Sequence, residues 1–334
     1  MNSRDRIRSI IAGEPADRCG LWLGNPHCDT WPLLHKYFGT ATPEELRRKL
    51  GDDFRWIRPG SAYKHPAGKP IFDMQRKGQS HGAAGCFAEC EDVQEVEDFE
   101  WPDPDYLDFS EVLTQLREAG EFYRAGGFWC PFFHEVADFF GMENYFVKMY
   151  THPEVVHAVT RHVVGFYLEA NTRLFAKADG LMDAFFFGND FGTQQDLLIS
   201  PGLFEEFIFP YFRQLTDLGH QHGLQVILHS CGAIKRVIPS LISLGVNALH
   251  PLQAKASNMA AETLAAEFKG KIAFIGGIDT QHLLIHGTPE EIKADVRRVK
   301  KLLGPCFVVS PSHEAVLPNV PPRNLEAMAQ AAVE

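Results

Sequence analysis

Residues 224–232 read LQVILHSCG. The run QVIL is short, apolar and ends abruptly, which is the mark of a buried parallel strand. The next stretch, AIKRVIPSLISLG (residues 233–245), carries apolar residues at helical spacing and a glycine stop. His229 and Cys231 therefore fall where a strand hands over to a helix. In α/β folds that carboxyl edge is where ligands bind. Two soft, ionisable side chains two residues apart on such an edge make this stretch the first candidate for a functional site.

The same alternation continues outward from this unit. Downstream, VNALHP, KIAFIGG and CFVVSP read as strands, and each is followed by an amphipathic segment: NMAAETLAAEF, PEEIKADVRRVKKLLG and PRNLEAMAQAAV. Upstream, FYRAGGFW and DGLMDAFFFGND read as strands, with helices predicted over HEVADFFG, GMENYFVKMY, residues 151–178 and residues 201–222. Near the start, an amphipathic helix over residues 2–12 precedes a first strand in CGLWLG. Short helices follow over residues 33–38 and 43–50, the second with Thr42 as N-cap and Pro43 at its first position. Residues 52–91 are irregular and glycine-rich, with DFRWIRP and KPIFDMQR as the strand-like parts of a hairpin-bearing excursion. The acidic residues 89–108 read as a solvated helix and a proline-broken loop.

Strand–helix alternation without a glycine-rich dinucleotide fingerprint predicts a single (β/α)8 barrel over residues 1–334. Residues 1–120 would supply an N-terminal extension and the first barrel unit, and 121–334 the regular units. A doubly wound open sheet is the alternative. The barrel is preferred because chemistry-bearing residues follow many successive strands, whereas an open sheet gathers them at one crevice.

The 334 residues include 45% hydrophobic and 22% charged types, ordinary proportions for a soluble enzyme. A net charge of −11 argues against nucleic acid or an anionic membrane as partner, and against a polyanionic substrate unless a local cationic cluster offsets the field. The first residues lack the apolar core of a signal peptide, and no apolar run is long enough to span a bilayer. Seven scattered cysteines fit reduced thiols and a cytoplasmic setting.

Residues just past the predicted strands are Asn25 and His27, Asn189 and Asp190, His229 and Cys231, His250 and Gln253, Asp279 and Gln281, and Ser310, His313 and Glu314. A barrel would bring them to one cavity. Imidazole nitrogen and cysteine sulfur suit zinc, whose catalytic sites keep three protein ligands and one open position. His229 and Cys231 would supply two, and His313 is the candidate third. The other reading of the pair is a hydrogen-bonded active-site histidine beside an inert cysteine. Asp190 is a candidate acid, base, substrate anchor or ligand, or else a turn cap. Asn25, His27, His250, Gln253 and Asp279 are candidate substrate contacts, although Asp279 also fits plain turn chemistry. Cys86 and Cys90, with His81, have a loose metal-like spacing and are read as structural.

At these residues the chain resembles the uroporphyrinogen decarboxylase superfamily. The resemblance rests on residues 185–212, 226–253, 274–284, 287–292 and 308–328, and more loosely on residues 4–18 and 50–54. It implies the distorted barrel and two related chemistries: decarboxylation in haem biosynthesis, and methyl transfer by zinc-dependent enzymes working with corrinoid proteins and thiols. In those methyltransferases an H-x-C pair and a later cysteine hold the metal. His229 and Cys231 match the pair, and His313 stands where the later cysteine would be; the decarboxylase has a histidine there. The decarboxylase grips its polycarboxylate with arginines at the end of its first strand, where this chain reads LWLGNPHCDTW without one. That difference favours methyl transfer between a small molecule and a separate corrinoid protein. A metal-free decarboxylase is the alternative, with Arg55, Arg58 and Lys64 as its nearest cations. A homodimer is the assembly considered.

Overall fold

The computed structural model describes residues 1–80 and 82–334. Eight strands run β1 (Gly20–Leu21), β2 (Phe54–Ile57), β3 (Tyr123–Gly126), β4 (Ala184–Gly188), β5 (Gln225–His229), β6 (Ala248–Leu252), β7 (Ala273–Ile278) and β8 (Phe307–Pro311). All the pairings are parallel, in the order β1-β8-β7-β6-β5-β4-β3-β2. Helices cover the outside, so the architecture is a (β/α)8 barrel, as the alternation predicts.

The seam of the barrel lies between β1 and β2. One backbone bond crosses it, from Asp53 N to Leu21 O at 2.9 Å. Side chains replace the missing ladder: the Leu21 and Leu23 N–H groups donate to carboxylates of Asp53 and Asp52, at 3.1 and 3.2 Å. Both carboxylates are fully buried, and buried charges need partners. Arg6 and Arg18 hold Asp53 at 2.7 and 2.8 Å, and Arg47 holds Asp52 at 2.6 Å.

Strand side chains alternate between the two faces. On β5, Val226 and Leu228 pack into the outer core beneath the helices, while Ile227 belongs to the inner one. His229 shares the parity of Ile227 and points inward, at the carboxyl end. The same rule puts His250 above Ala248 and Ser310 above Val308. The inner core holds Trp22, Phe54, Tyr123, Phe186 and Ile275, together with Ile7, Ile10 and Ile11 of the helix Ser3–Ala12. That helix plugs the amino end of the barrel and leaves the other end for chemistry.

Two expectations about residues 52–91 are corrected. DFRWIRP contains a barrel strand, β2, paired in parallel with β3, and is not part of a hairpin. Its Phe54 and Trp56 face the interior while Arg55 faces Glu44, so the run alternates in a way that a purely apolar pattern hides. KPIFDMQR forms no strand; Pro70 has no N–H to give a ladder, and Gln75 has a positive φ of 46°. The helix expected over residues 201–222 is interrupted by a π-turn, Phe204–Ile208, before it continues as Phe209–Gln221. Pro210 cannot donate to the preceding turn, which accounts for the break. The Thr42 cap is present as a full capping box. The acidic segment forms only the short helix Val93–Glu97 and a 3-10 turn. Among the described residues, no helix is long and apolar enough to cross a membrane.

Candidate active site at the carboxyl ends of the strands

The turn after β5 is held from both sides. Cys231 N donates to Asp190 Oδ1 at 2.8 Å, and Gly232 N to Gln253 Oε1 at 2.7 Å, so residues after β4 and β6 fix its shape. Ser230 N donates to His250 O at 2.7 Å, and Ser230 Oγ accepts from Phe191 N at 3.1 Å. Gly232 has φ +88°, and a Cβ there would lie 2.3 Å from Gly192 O. Only glycine fits.

This turn sets Cys231 Sγ 3.4 Å from His229 Nε2, with Asp190 Oδ1 also 3.4 Å from that nitrogen. On the other side of the ring, His229 Nδ1 lies 3.0 Å from His250 Nδ1 and 3.7 Å from Glu314 Oε2. Asp190, His229 and Cys231 thus present ligand atoms within 4.8 Å of one another, and so do His229, His250 and Glu314. His313 stands beside them. Its ring centre is 6.5 Å from that of His229, and its Nδ1 accepts from Ala315 N at 3.1 Å. His313 also lines a cavity of about 430 Å3 together with Gln253, Thr280, Gln281, Ser312 and Asn319.

The remaining expected residues divide by what their side chains do. Asn25 and His27 lie on the exposed loop after β1, where their N–H groups donate to Glu314 O and Val316 O and bind this loop to the one after β8. Gly24 sits so close that a Cβ would meet Glu314 O at 2.6 Å. His27, Cys28 and Asp29 form an exposed group of their own. Asn189 is a brace: its amide accepts from Phe133 N and donates to Cys130 O. Asp279 spends both carboxylate oxygens on the backbone N–H groups of Gln281 and Leu283, which is turn chemistry. Cys86 and Cys90 belong to no ligand group among the described residues, and His81 lies outside those residues.

Among the described residues, Trp56 Nε1, His250 Nε2, Ser310 Oγ and Glu314 Oε2 in this region are buried without a hydrogen-bond partner. Orphaned buried groups are costly, and a cluster of them at a barrel mouth marks a place for a ligand or water. Trp56 and Trp129 escaped the sequence reading, because aromatic residues after a strand look like core. Their rings lie 5.0 Å apart, and Trp129 lies 5.0 Å from His229. Of the cations expected near the site, Arg55 is bound by Glu44 on the outer face and Lys64 lies toward Asp108. Arg58 lies over Trp56 at 4.3 Å, close enough to Glu314 to feel its charge.

The sequence model described as Uroporphyrinogen decarboxylase (URO-D) matches residues 86–334. The chain belongs to the uroporphyrinogen decarboxylase family. No curated protein sequence matches it. Among solved structures, a methyltransferase from Methanosarcina mazei superposes with a TM-score of 0.70 at 15% identity, covering 99% of this chain and 98% of that one. At that identity the likeness is one of fold.

In this member of the family, the electrostatics concentrate on His229. Burial works against its charged form, but Asp190 and Cys231 outweigh burial and push its pKa up to about 10. Asp190 is the other half of the pair: burial would raise its pKa, yet His229 holds it well below the usual carboxylate range. His250 goes the other way, since burial and the neighbouring His229 push it well below its ordinary value, so its ring is neutral. The His313 pKa is raised, chiefly by the Cys231 side chain beside it. A thiol, imidazoles and carboxylates crowded at this spacing fit a zinc ion by donor type.

Proposed function

We propose that this family member is a zinc-dependent methyltransferase that moves a methyl group between a separate corrinoid protein and the thiol of a small molecule. His229, Cys231 and His313 would hold the metal. The observation that carries this reading is the packing of Cys231 Sγ and Asp190 Oδ1 each 3.4 Å from His229 Nε2, at the open end of the barrel. When bound, zinc lowers the pKa of a coordinated thiol, so that a thiolate is available at neutral pH.

The residues of the chain do the rest. Asp190 fixes the Cys231 loop through its N–H and orients the incoming group. His250, neutral and buried, steadies the far side of the His229 ring. His313, half-exposed and facing the cavity, would be the ligand nearest solvent, and the thiol proton leaves through that cavity. Gln253, through Gly232, keeps the turn in place. The methyltransferase fold of the solved neighbour supports this reading, and so does the absence of arginine from the end of β1. A corrinoid protein would dock over the strand ends, where the loops after β1 and β8 form the rim.

The test is metal analysis of tag-free protein, followed by transfer from methylcobalamin, a surrogate donor, to a small thiol. About one zinc per chain is expected for a single catalytic site. His229→Ala and Cys231→Ser should each remove most of the metal and the transfer. Protein that holds no zinc, unchanged by either substitution, would overturn the metal reading. Turnover of uroporphyrinogen would favour the family's other chemistry.

A further inference from the structure

The amino end of the barrel carries a cluster of cations that the seam does not use. At the seam, Arg6, Arg18 and Arg47 divide Asp17, Asp53 and Asp52 among them, three charges against three. Arg4 and Arg8 lie one turn apart on the helix Ser3–Ala12 and meet Arg124 of β3 at a single carboxylate, that of Asp183. Arg4 Nε is 2.7 Å from Asp183 Oδ1, Arg8 Nη1 is 3.5 Å from the same oxygen, and Arg124 Nε is 3.5 Å from Oδ2. Three guanidinium groups thus share one negative charge.

Asp183 is engaged on both oxygens. Its side chain is fully buried, and Oδ2 also accepts from Arg124 N at 3.0 Å. Arg124 is only 5% exposed, yet among the described residues its Nε has no hydrogen-bond partner. Burial lowers the Arg124 pKa, and the charges of Arg4 and Arg8 lower it further, against the pull of Asp183. A cavity of about 160 Å3 opens beside the cluster, lined in part by Arg4, Arg8, Asp179, Gly180, His222 and Gly223. Gly180 ties the cluster to the cavity wall, since its carbonyl accepts from Arg4 Nη2 at 3.1 Å and from Arg124 Nη2 at 3.5 Å. With Asp179 counted, three cations still face two carboxylates.

We propose that this cavity binds a phosphate group, free or as a phosphomonoester, at the end of the barrel opposite His229 and Cys231. Arg4 and Arg8 would hold the oxyanion, and Arg124 behind them adds charge that Asp183 does not cancel. Two guanidinium forks on one helix suit a tetrahedral anion, which offers several acceptor oxygens at once. The walls of the cavity come from the N-terminal helix and from the loops before β4 and β5, so a bound phosphate bridges all three. It would clamp the helix that plugs the barrel. The inference is independent of the chemistry at the other end.

Calorimetric titration of the full-length protein at constant ionic strength tests it, with inorganic phosphate and glycerol 2-phosphate as probes. Wild type should bind phosphate saturably. Arg8→Gln should weaken that binding by about tenfold or more, the scale of a charge-assisted hydrogen bond, and it leaves Asp183 with Arg4 and Arg124 so that the fold is kept. Asp179→Asn should tighten binding, because it removes a repelling carboxylate from the cavity wall. Phosphate should also raise the unfolding temperature of wild type more than that of Arg8→Gln. Tighter binding of glycerol 2-phosphate than of phosphate identifies an ester as the ligand, and the reverse order identifies the free anion. Absence of saturable binding, or binding that survives Arg8→Gln, would overturn the proposal. So would binding that is lost in Arg58→Gln, since that result puts the anion at the opposite end of the barrel.

Discussion

Gly232 shows how narrowly the turn after β5 is determined. With φ +88° and the Gly192 carbonyl 2.3 Å from any added Cβ, alanine there must displace either its own loop or the one after β4. Gly232→Ala should destabilise the protein by about 1–3 kcal/mol, the scale of a strained backbone position, and, if the proposed zinc site is right, weaken metal retention, because Cys231 moves with the turn. Urea unfolding and metal analysis would show both. Glu135 offers a pH-dependent case. Burial pushes its carboxyl up to about 8, against the hydrogen bond it accepts from Tyr167 at 2.6 Å. The folded pKa lies above the unfolded value near 4.5, so its contribution is complete below that value and is lost as pH rises through about 8. Wild type should therefore lose stability between those limits relative to Glu135→Gln. Equal slopes of unfolding free energy against pH in the two proteins would contradict this.

At the scale of elements, the helix Ser3–Ala12 carries two jobs on different faces. Ile7, Ile10 and Ile11 fill the amino end of the barrel, while Arg6 links the buried Asp53 to the exposed Asp17. Asp17 is held well below the usual carboxylate range by Arg6. Arg6→Met should cost about 3–5 kcal/mol, since it leaves the buried Asp53 charge with Arg18 as its remaining cation. Arg6→Met with Asp53→Asn should recover part of the loss; a double-mutant cycle in urea measures the coupling. If the double variant is as unstable as the sum of the singles, the pair is not what closes the seam. β2 belongs to this scale too. Its inward residues are aromatic and its outward ones polar or half-buried, so the strand was visible in the sequence only as a hint, and its place in the barrel was settled by pairing with β3.

The whole molecule couples its two ends. β1 pairs with β8, the loops after them are hydrogen-bonded, and the N-terminal helix packs in one core with β7 and β8 residues. Residues 1–120 and 121–334 are therefore proposed to form one cooperative domain. Thermal unfolding followed by tryptophan fluorescence and far-UV circular dichroism should give coincident transitions, with two separate steps as the contrary result.

The sequence by itself determined the barrel and the strand ends at which the candidate site residues fall. Strand–helix alternation is written locally, in periodicity and caps, and His229, Cys231, Asp190 and Gln253 sit at strand ends because that is where each apolar run stops. The side-chain period of two also fixes which of these residues can face inward. Only the tertiary structure decided how they are employed. It spent Asn189 and Asp279 on backbone groups and set Asp190 against His229 Nε2. It joined His229 to His250 across adjacent strands, and it brought Arg58, Trp56 and Trp129 to the same mouth. The reason is physical: contacts between residues far apart in the chain depend on register and barrel closure, and neither is encoded within any single stretch of sequence.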